Sequence, residues 1–599
     1  MLLINPATEQ FGGFLSRYIP LGLPIAVGTL AGYLEKYGHQ VKIFDDEIEK
    51  LDENNIENYL EGIPRPYVFG ITVLTSQAHR AYTITRMLKT KYPDCIIILG
   101  GIHATALPEE GLQKGADIVV RGEGEITLRI LYEAIREEKD WSNTSGITYK
   151  NNKGEICSTG DALLVQNLDE IPIFPYHLFD ANKNEGSGKI TDFFAGDADY
   201  NKSNSSTNNK NIGEKGTGGN LASYDFGVIT GARGCPYKCS YCSQRLITGL
   251  TYRWHSTERV LESLDIIINK YGQKSIQFYD DNFSVNRKRV KELSDGIVAA
   301  GLHQKARFGI QTRADNLYPE IMPYLKNANF TGIGFGLETA SERLAEVIVK
   351  DQTVETHTKS IKLAREWGID VVVFMIYGLP TETKEDRRLS VKYAKDLDMR
   401  FTKFNNLIPY PGTKLYNDIK ETKQIHIADE WSNFNSTLVS TRSIFNKMPL
   451  PYVPEGTHPW ELKRDIVSAN LGFYFRPKPI FDFLLRRGKG AFVELPRGWS
   501  KNPREIYEVA KLGLTLISNY LIALLPIRVG YLIYRVVTGD TLEDRSGKTD
   551  IKNPDAIDGT MRTIKFDTEK NRKEMLNGDR IQNPLNKEDF ITEKQKTLS

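Results

Sequence analysis

Gly231-Ala-Arg-Gly-Cys235-Pro-Tyr-Lys-Cys239-Ser-Tyr-Cys242-Ser243 holds three of the chain's five cysteines, in a C-x3-C-x2-C spacing. Three thiolates on one tight loop suit three irons of a four-iron cluster. No fourth cysteine follows nearby. Iron–sulfur clusters are ordinarily held by four thiolates, so one iron is left open to a different ligand. The competing reading is a tetrahedral zinc site completed by His255 or by a distant group. The C-x3-C-x2-C spacing is the less usual one for zinc.

The chain on either side of the loop alternates apolar runs with amphipathic segments. Strands are expected at Gly227–Thr230, Ser275–Tyr279, Ala306–Thr312, Gly332–Phe335, Val371–Tyr377 and Phe401–Leu407. Alternation of this kind predicts a parallel sheet, with chemistry at the carboxyl ends of the strands. Asp280, Asp281, Arg313 and Glu338 fall at those ends.

The loop and the six βα units that follow it resemble the radical S-adenosylmethionine (SAM) enzymes, whose fold is a partial (β/α)6 barrel. The resemblance implies that SAM fills the open iron site of a 4Fe-4S cluster and is cleaved there to a 5′-deoxyadenosyl radical. It places Tyr241 against the adenine. It puts Asp280 and Asp281 where the SAM amino group is contacted, and Arg313 and Glu338 where other polar SAM contacts occur. Each of these four is also compatible with an ordinary turn or cap.

Residues 1–145 read as a second α/β unit. Strands are expected at Leu2–Asn5, Val41–Phe44, Val68–Val73, Cys95–Leu99 and Ile118–Val120. Helices are expected at Pro24–Tyr37, Gln77–Thr90 and Glu125–Arg136, with Gly38 as a C-cap. Ligands of doubly wound sheets bind beyond the carboxyl ends of the strands. Three glycine-bearing turns lie there: Gly70-Ile-Thr72, Gly100-Gly101-Ile-His103-Ala-Thr105 and Gly122-Glu123-Gly-Glu125. Together they resemble the cobalamin-binding domain that precedes the radical SAM domain in one large subfamily. That resemblance makes Thr72, Gly100, Gly101, His103, Gly122 and Glu123 candidate cobalamin contacts. None of the nine histidines has Asp two residues earlier, so no D-x-H-x-x-G loop supplies a lower cobalt ligand.

Residues 146–182 read as a hairpin and a proline-punctuated linker. Residues 183–222, notably Asn201–Asn211, read as a low-complexity polar insertion. After the barrel at 223–440 comes a helical region, 441–539. Within it, Phe473-Tyr-Phe-Arg-Pro477 resembles a short helical element of the same subfamily. Leu512–Ile527 is free of charge between Lys511 and Arg528, too short to span a bilayer comfortably. Arg486, Arg487, Lys489 and Arg535 suggest an interfacial region on anionic lipid; a buried helix is the alternative. Residues 540–599 read as a disordered polar tail.

With 40% hydrophobic and 26% charged residues the composition is globular, with apolar material for more than one core. A net charge of +2 gives no argument for nucleic acid as a partner. Cys95 and Cys157 read as buried or inert. A thiolate cluster needs a reducing compartment, so a cytoplasmic location is expected, with no signal peptide evident at the N-terminus.

The expectation is a cobalamin-dependent radical SAM enzyme using a 4Fe-4S cluster, SAM and cobalamin, supplied with electrons by a reductase or a flavodoxin or ferredoxin. Methyl transfer to an unactivated carbon of a lipid or other apolar substrate is favoured. An anaerobic cyclase of a porphyrin-like substrate is the alternative within the subfamily. A zinc-stabilised binding protein is the alternative from another class. No second cysteine cluster exists, which argues against sulfur insertion.

Overall fold

The computed structural model describes residues 1–8, 21–182, 224–225, 227–399, 401–420, 424–441, 443–477, 503–540 and 542. The polar insertion at 183–222 lies outside them. So do Arg486, Arg487 and Lys489, and the tail apart from Asp540 and Leu542.

The first sheet is built from β1 Leu2–Asn5, β2 Lys42–Asp45, β3 Val68–Thr72, β4 Ile96–Gly100 and β5 Ile118–Val120. They run parallel in the order β2-β1-β3-β4-β5. Runs such as Ile96-Ile-Ile-Leu99 are apolar on both faces because both faces are covered. Ile97 and Leu99 pack with Ala81, Ile84 and Leu88 of α2 (Ala78–Lys91). Ile98 turns the other way, toward Val27 and Ala31 of α1 (Ile25–Lys36) and Leu128 and Leu131 of α3 (Glu125–Arg136). Helix α1 stops where Gly38 adopts φ +82° and its N–H bonds to Glu35 O at 2.8 Å. This strand order has its switch point between β1 and β3, where ligands of such sheets sit.

The hairpin does not stand apart as a linker. Strands β6 Ile147–Lys150 and β7 Ile156–Ser158 pair antiparallel and extend the sheet beyond β5 to seven strands. Ile147, fully buried, pairs with Val120 and anchors the extension.

The second sheet holds β8 Val228–Ile229, β9 Ser275–Phe278, β10 Arg307–Thr312, β11 Phe330–Glu338, β12 Asp370–Tyr377 and β13 Phe401–Asn406. All neighbours are parallel, in chain order, and β8 does not pair with β13. That is an open six-stranded barrel. In β11, Ile333, Phe335 and Leu337 join the outer core, which leaves Gly332, Gly334 and Gly336 on the inner face. A Cβ on Gly334 would already stand 3.2 Å from Gln311 Cγ and 3.4 Å from Phe374 Cε2. Glycine along one face of a strand marks a close approach.

Beyond the barrel, α4 (Pro459–Tyr474) lies on β13, with Phe473 edge-on to Phe404. Helices α5 (Pro503–Leu524) and α6 (Ile527–Thr538) follow. The uncharged stretch Leu512–Ile527 is therefore not one helix: α5 ends at Leu524, and Pro526 is the N-cap of α6. Ala523 and Tyr534 are fully buried, whereas Leu514 and Leu521 are 69% and 58% exposed. None of the described helices is long and apolar enough to cross a membrane.

Candidate active site between the two sheets

The carboxyl ends of both sheets face one cavity of about 460 Å³. Thr72, Gly100, Gly101, Gly122 and Glu123 line it from the first sheet; Thr230, Arg233, His255 and Asp281 line it from the barrel side. Gly101 is required where it stands. Its φ is +92°, and a Cβ there would meet Thr72 Oγ1 and the Val73 backbone at 3.0 Å.

His103 does not reach the cavity. Its ring is buried behind the turn, 3.1 Å from Tyr82 Oη and 3.3 Å from Thr75 Oγ1, with Trp431 edge-on at 5.2 Å. It belongs to a seam between the first domain and the segment after the barrel. There Glu110 accepts from Trp431 Nε1 at 2.9 Å, and Lys114 pairs with Glu430 at 2.6 Å.

Glu123 lines the cavity with its carboxylate already committed. It pairs with Arg253, whose Nη1 donates to Oε2 at 3.0 Å. Next to it Arg233 bonds Glu125 at 2.7 Å. Burial pushes the Glu125 carboxyl up, but the charge and hydrogen bond of Arg233, with the backbone and Arg253, together outweigh it and leave the group below its ordinary value. Arg233 lies two residues before Cys235, so this buried network ties the glycine turn of one domain to the cysteine loop of the other.

The loop itself is fixed by the end of β9. Asp280 Oδ1 accepts the Gly231 and Ala232 N–H groups at 2.6 and 3.0 Å, and Oδ2 pairs with Arg289 at 2.9 Å. Both carboxylate oxygens are thus consumed within the fold, and Asp280 is not placed as an acceptor for a ligand amine. Asp281 takes the Gly234 N–H at 2.8 Å and lines the cavity. The surrounding protein pushes its carboxyl up to about 6. Gly234, at φ +90°, excludes any side chain, since a Cβ would lie 2.1 Å from Thr251 O.

All five cysteines are free thiols. Arg313 Nη1 stands 3.4 Å from Cys239 Sγ, with its guanidinium over the Tyr237 ring at 3.7 Å. Asn282 Nδ2 is 3.9 Å from Cys235 Sγ. Burial pushes Cys235 up to about 12 and Cys242 up to about 11. Thiols pushed up, as Cys235 and Cys242 are, become costly to ionise without a metal, which withdraws the protons and the charge. Among the described residues no three His, Cys, Asp or Glu side chains converge on a single-ion site. His255 is engaged with Asp169.

Tyr241 Oη donates to Glu338 Oε1 at 2.8 Å, and Lys350 Nζ is 3.0 Å from both oxygens. A register shift between Gly336 and Glu338 re-aims the carboxylate, and Glu338 holds φ +69°. Lys350 and Asn282 escaped the sequence reading. Asn282 had a signal, the polar strand end Asp280-Asp281-Asn282. Lys350 had none.

A radical SAM superfamily model matches residues 229–394, and a B12 binding domain model matches 20–132. The chain is a radical SAM enzyme. This radical SAM enzyme uses a 4Fe-4S cluster and SAM, and its B12-binding domain adds cobalamin. It is 29% identical to an uncharacterised methyltransferase of Pyrococcus horikoshii, over 80% of this chain and 93% of that one. It is 26% identical to the anaerobic magnesium-protoporphyrin IX monomethyl ester cyclase of Cereibacter sphaeroides, over 73% of this chain and 65% of the cyclase. It shares its fold with TsrM of Kitasatospora setae, a radical SAM methyltransferase solved with cobalamin and a 4Fe-4S cluster. The TM-score is 0.58 at 18% identity, over 90% of this chain and 99% of TsrM. The radical SAM enzyme is thus similar in sequence to a methyltransferase and to an anaerobic cyclase, and in fold to TsrM.

Proposed function

We propose that this enzyme transfers a methyl group to an unactivated carbon of an apolar, lipid-like substrate. The observation that carries the reading is the shared cavity, walled by the glycine turns of one domain and the edge of the cysteine loop of the other. When bound, the cluster and SAM supply a carbon-activating radical, and cobalamin supplies a methyl carrier. Cys235, Cys239 and Cys242 hold the cluster. Arg313 offsets negative charge at Cys239. Asp281 receives the SAM ammonium, and Tyr241 and Glu338 hold the nucleoside end. Thr72, Gly100, Gly101 and Gly122 let the corrinoid approach the backbone. Asp280 and Glu123 hold the walls rather than a ligand. The apolar preference rests on the exposed stripe of α5 and α6, which suits peripheral contact with a membrane surface.

The likeness to the cyclase keeps oxidative cyclisation as a second reading. Anaerobic reconstitution with iron, sulfide, SAM and cobalamin separates them. Methyl transfer leaves both S-adenosylhomocysteine and 5′-deoxyadenosine, whereas cyclisation leaves no S-adenosylhomocysteine. Replacing any one of Cys235, Cys239 or Cys242 by Ala is expected to abolish SAM cleavage. Cys95→Ala and Cys157→Ala are expected to keep full iron content. Loss of iron in Cys157→Ala would show that the ligand set is wrong.

A further inference from the structure

His255 and Asp169 form a dyad on the cavity wall that neither the cluster nor the SAM contacts use. His255 follows the short strand Arg253–Trp254, and its N–H bonds Gly231 O at 3.0 Å, beside the cysteine loop. Asp169 comes from the helical turn Leu168–Glu170 in the connector between the domains. Its Oδ1 takes the Ser256 N–H at 3.0 Å and stands 3.2 Å from His255 Nδ1. Its backbone carbonyl accepts from Arg259 Nη2 at 3.2 Å. The His255 side chain is 13% exposed, and it lines the cavity.

A carboxylate at Nδ1 fixes the proton on that nitrogen and leaves Nε2 as an acceptor. Burial alone would raise the Asp169 carboxyl, but the bonds from His255 and Ser256 bring it down to about 2, so it stays ionised at neutral pH. A neutral imidazole held this way keeps Nε2 as its acceptor, on a residue that lines the cavity. A corrin rim is fringed with primary amides, whose N–H groups need acceptors when they leave water.

We infer that His255 Nε2, oriented by Asp169, accepts a hydrogen bond from an amide side chain of the corrinoid and so sets its seating between the domains. The inference rests on the cavity being the corrinoid site. Asp169 is the positioning residue, and His255 is the one that touches the cofactor.

The test is titration of the full-length protein with hydroxocobalamin, followed by its visible spectrum, alongside electron paramagnetic resonance of the cob(II)alamin form. His255→Phe keeps the ring volume and removes the acceptor; its dissociation constant is expected to rise about tenfold. His255→Gln, which keeps an acceptor oxygen, is expected to recover most of the affinity. Asp169→Asn satisfies Ser256 but lets the amide favour the other tautomer, and is expected to match His255→Phe. Iron content unchanged in all three variants is expected. Equal affinity for wild type and His255→Phe would overturn the inference. Nitrogen splitting in wild-type cob(II)alamin that vanishes in His255→Phe would also overturn it, in favour of a cobalt ligand. A wild type that binds no corrinoid would overturn the site assignment beneath it.

Discussion

Asp280 and Asp281 are neighbours in sequence with different work to do. The strand end Asp-Asp-Asn was legible as a polar turn at the mouth of a barrel. Which carboxylate turns inward is set by the alternation of β9 and by where Arg289 and the Gly231 N–H stand, and one sequence does not carry that. The same limit applies to His103. Its loop was legible as a cofactor turn, but Tyr82, Thr75 and Trp431, distant in sequence, draw the ring away from the cavity. The cysteine loop was legible as a motif because its signal lies in its spacing. The two aspartates are separable by experiment. Asp280→Asn leaves Arg289 buried beside a neutral amide, a loss of about 3–5 kcal/mol by analogy with other broken buried pairs. It is expected to lower the urea midpoint of the cofactor-free protein. Asp281→Asn is expected to leave that midpoint nearly unchanged and to weaken SAM binding. Its carboxyl, raised to about 6, is ionised above that pH and neutral below it. Only the ionised form pairs with an ammonium. SAM affinity of the cluster-loaded wild type should therefore fall as pH drops through about 6, while that of Asp281→Asn stays flat. A wild type with no such step would remove Asp281 from the SAM site.

The strand β11 shows how an element creates a site. Its sequence Phe330-Thr-Gly-Ile-Gly-Phe-Gly-Leu-Glu338 alternates bulk and glycine with period two, which was legible as a strand. The register shift at its end was not, because a bulge depends on the partner strand β12. The bulge matters because it puts the Glu338 carboxylate over Gly336, where Tyr241 and Lys350 meet it. A Cβ on Gly336 would lie 2.3 Å from Glu338 Oε1. Gly336→Ala is expected to push the carboxylate off both partners. SAM affinity should fall at least tenfold while the iron content stays that of wild type, since no cysteine contact is touched. Loss of iron together with SAM binding would mean that the strand end supports the cluster loop rather than the nucleoside. The helices α5 and α6 show the opposite case. The uncharged run at Leu512–Ile527 was legible, and Pro526 marks its division; what the sequence does not carry is the burial of Ala523 and Tyr534 against the barrel's core.

At the scale of the whole molecule, two ordinary folds become an enzyme through the seam between them. Glu123 and Glu125 from one, Arg233 and Arg253 from the other, form a buried clamp beside the cavity. The two halves were legible separately, because each repeats its own strand and helix pattern. The clamp was not, since its members are more than a hundred residues apart. The outer surface raises a different question. Leu514, Ile517, Leu521 and Leu524 on α5 recur at helical spacing and are half or more exposed, and Leu532 and Val536 do the same on α6. Apolar side chains exposed in clusters mark contact surfaces, and we take these for one. Arg528 and Arg535 are exposed on α6, which suits an anionic headgroup layer. Peripheral binding follows: the wild type should co-sediment with anionic vesicles more than with neutral ones, and salt or alkaline carbonate should release much of it. Leu514→Glu with Leu521→Glu should weaken sedimentation several-fold while substrate-free SAM cleavage stays near wild type, because both positions lie on α5, far in sequence and element from the cysteine loop. Sedimentation that is unchanged in the double variant, or a wild type that ignores anionic vesicles, would assign the stripe to another partner. The case for a lipid-like substrate would then lose the surface it stands on.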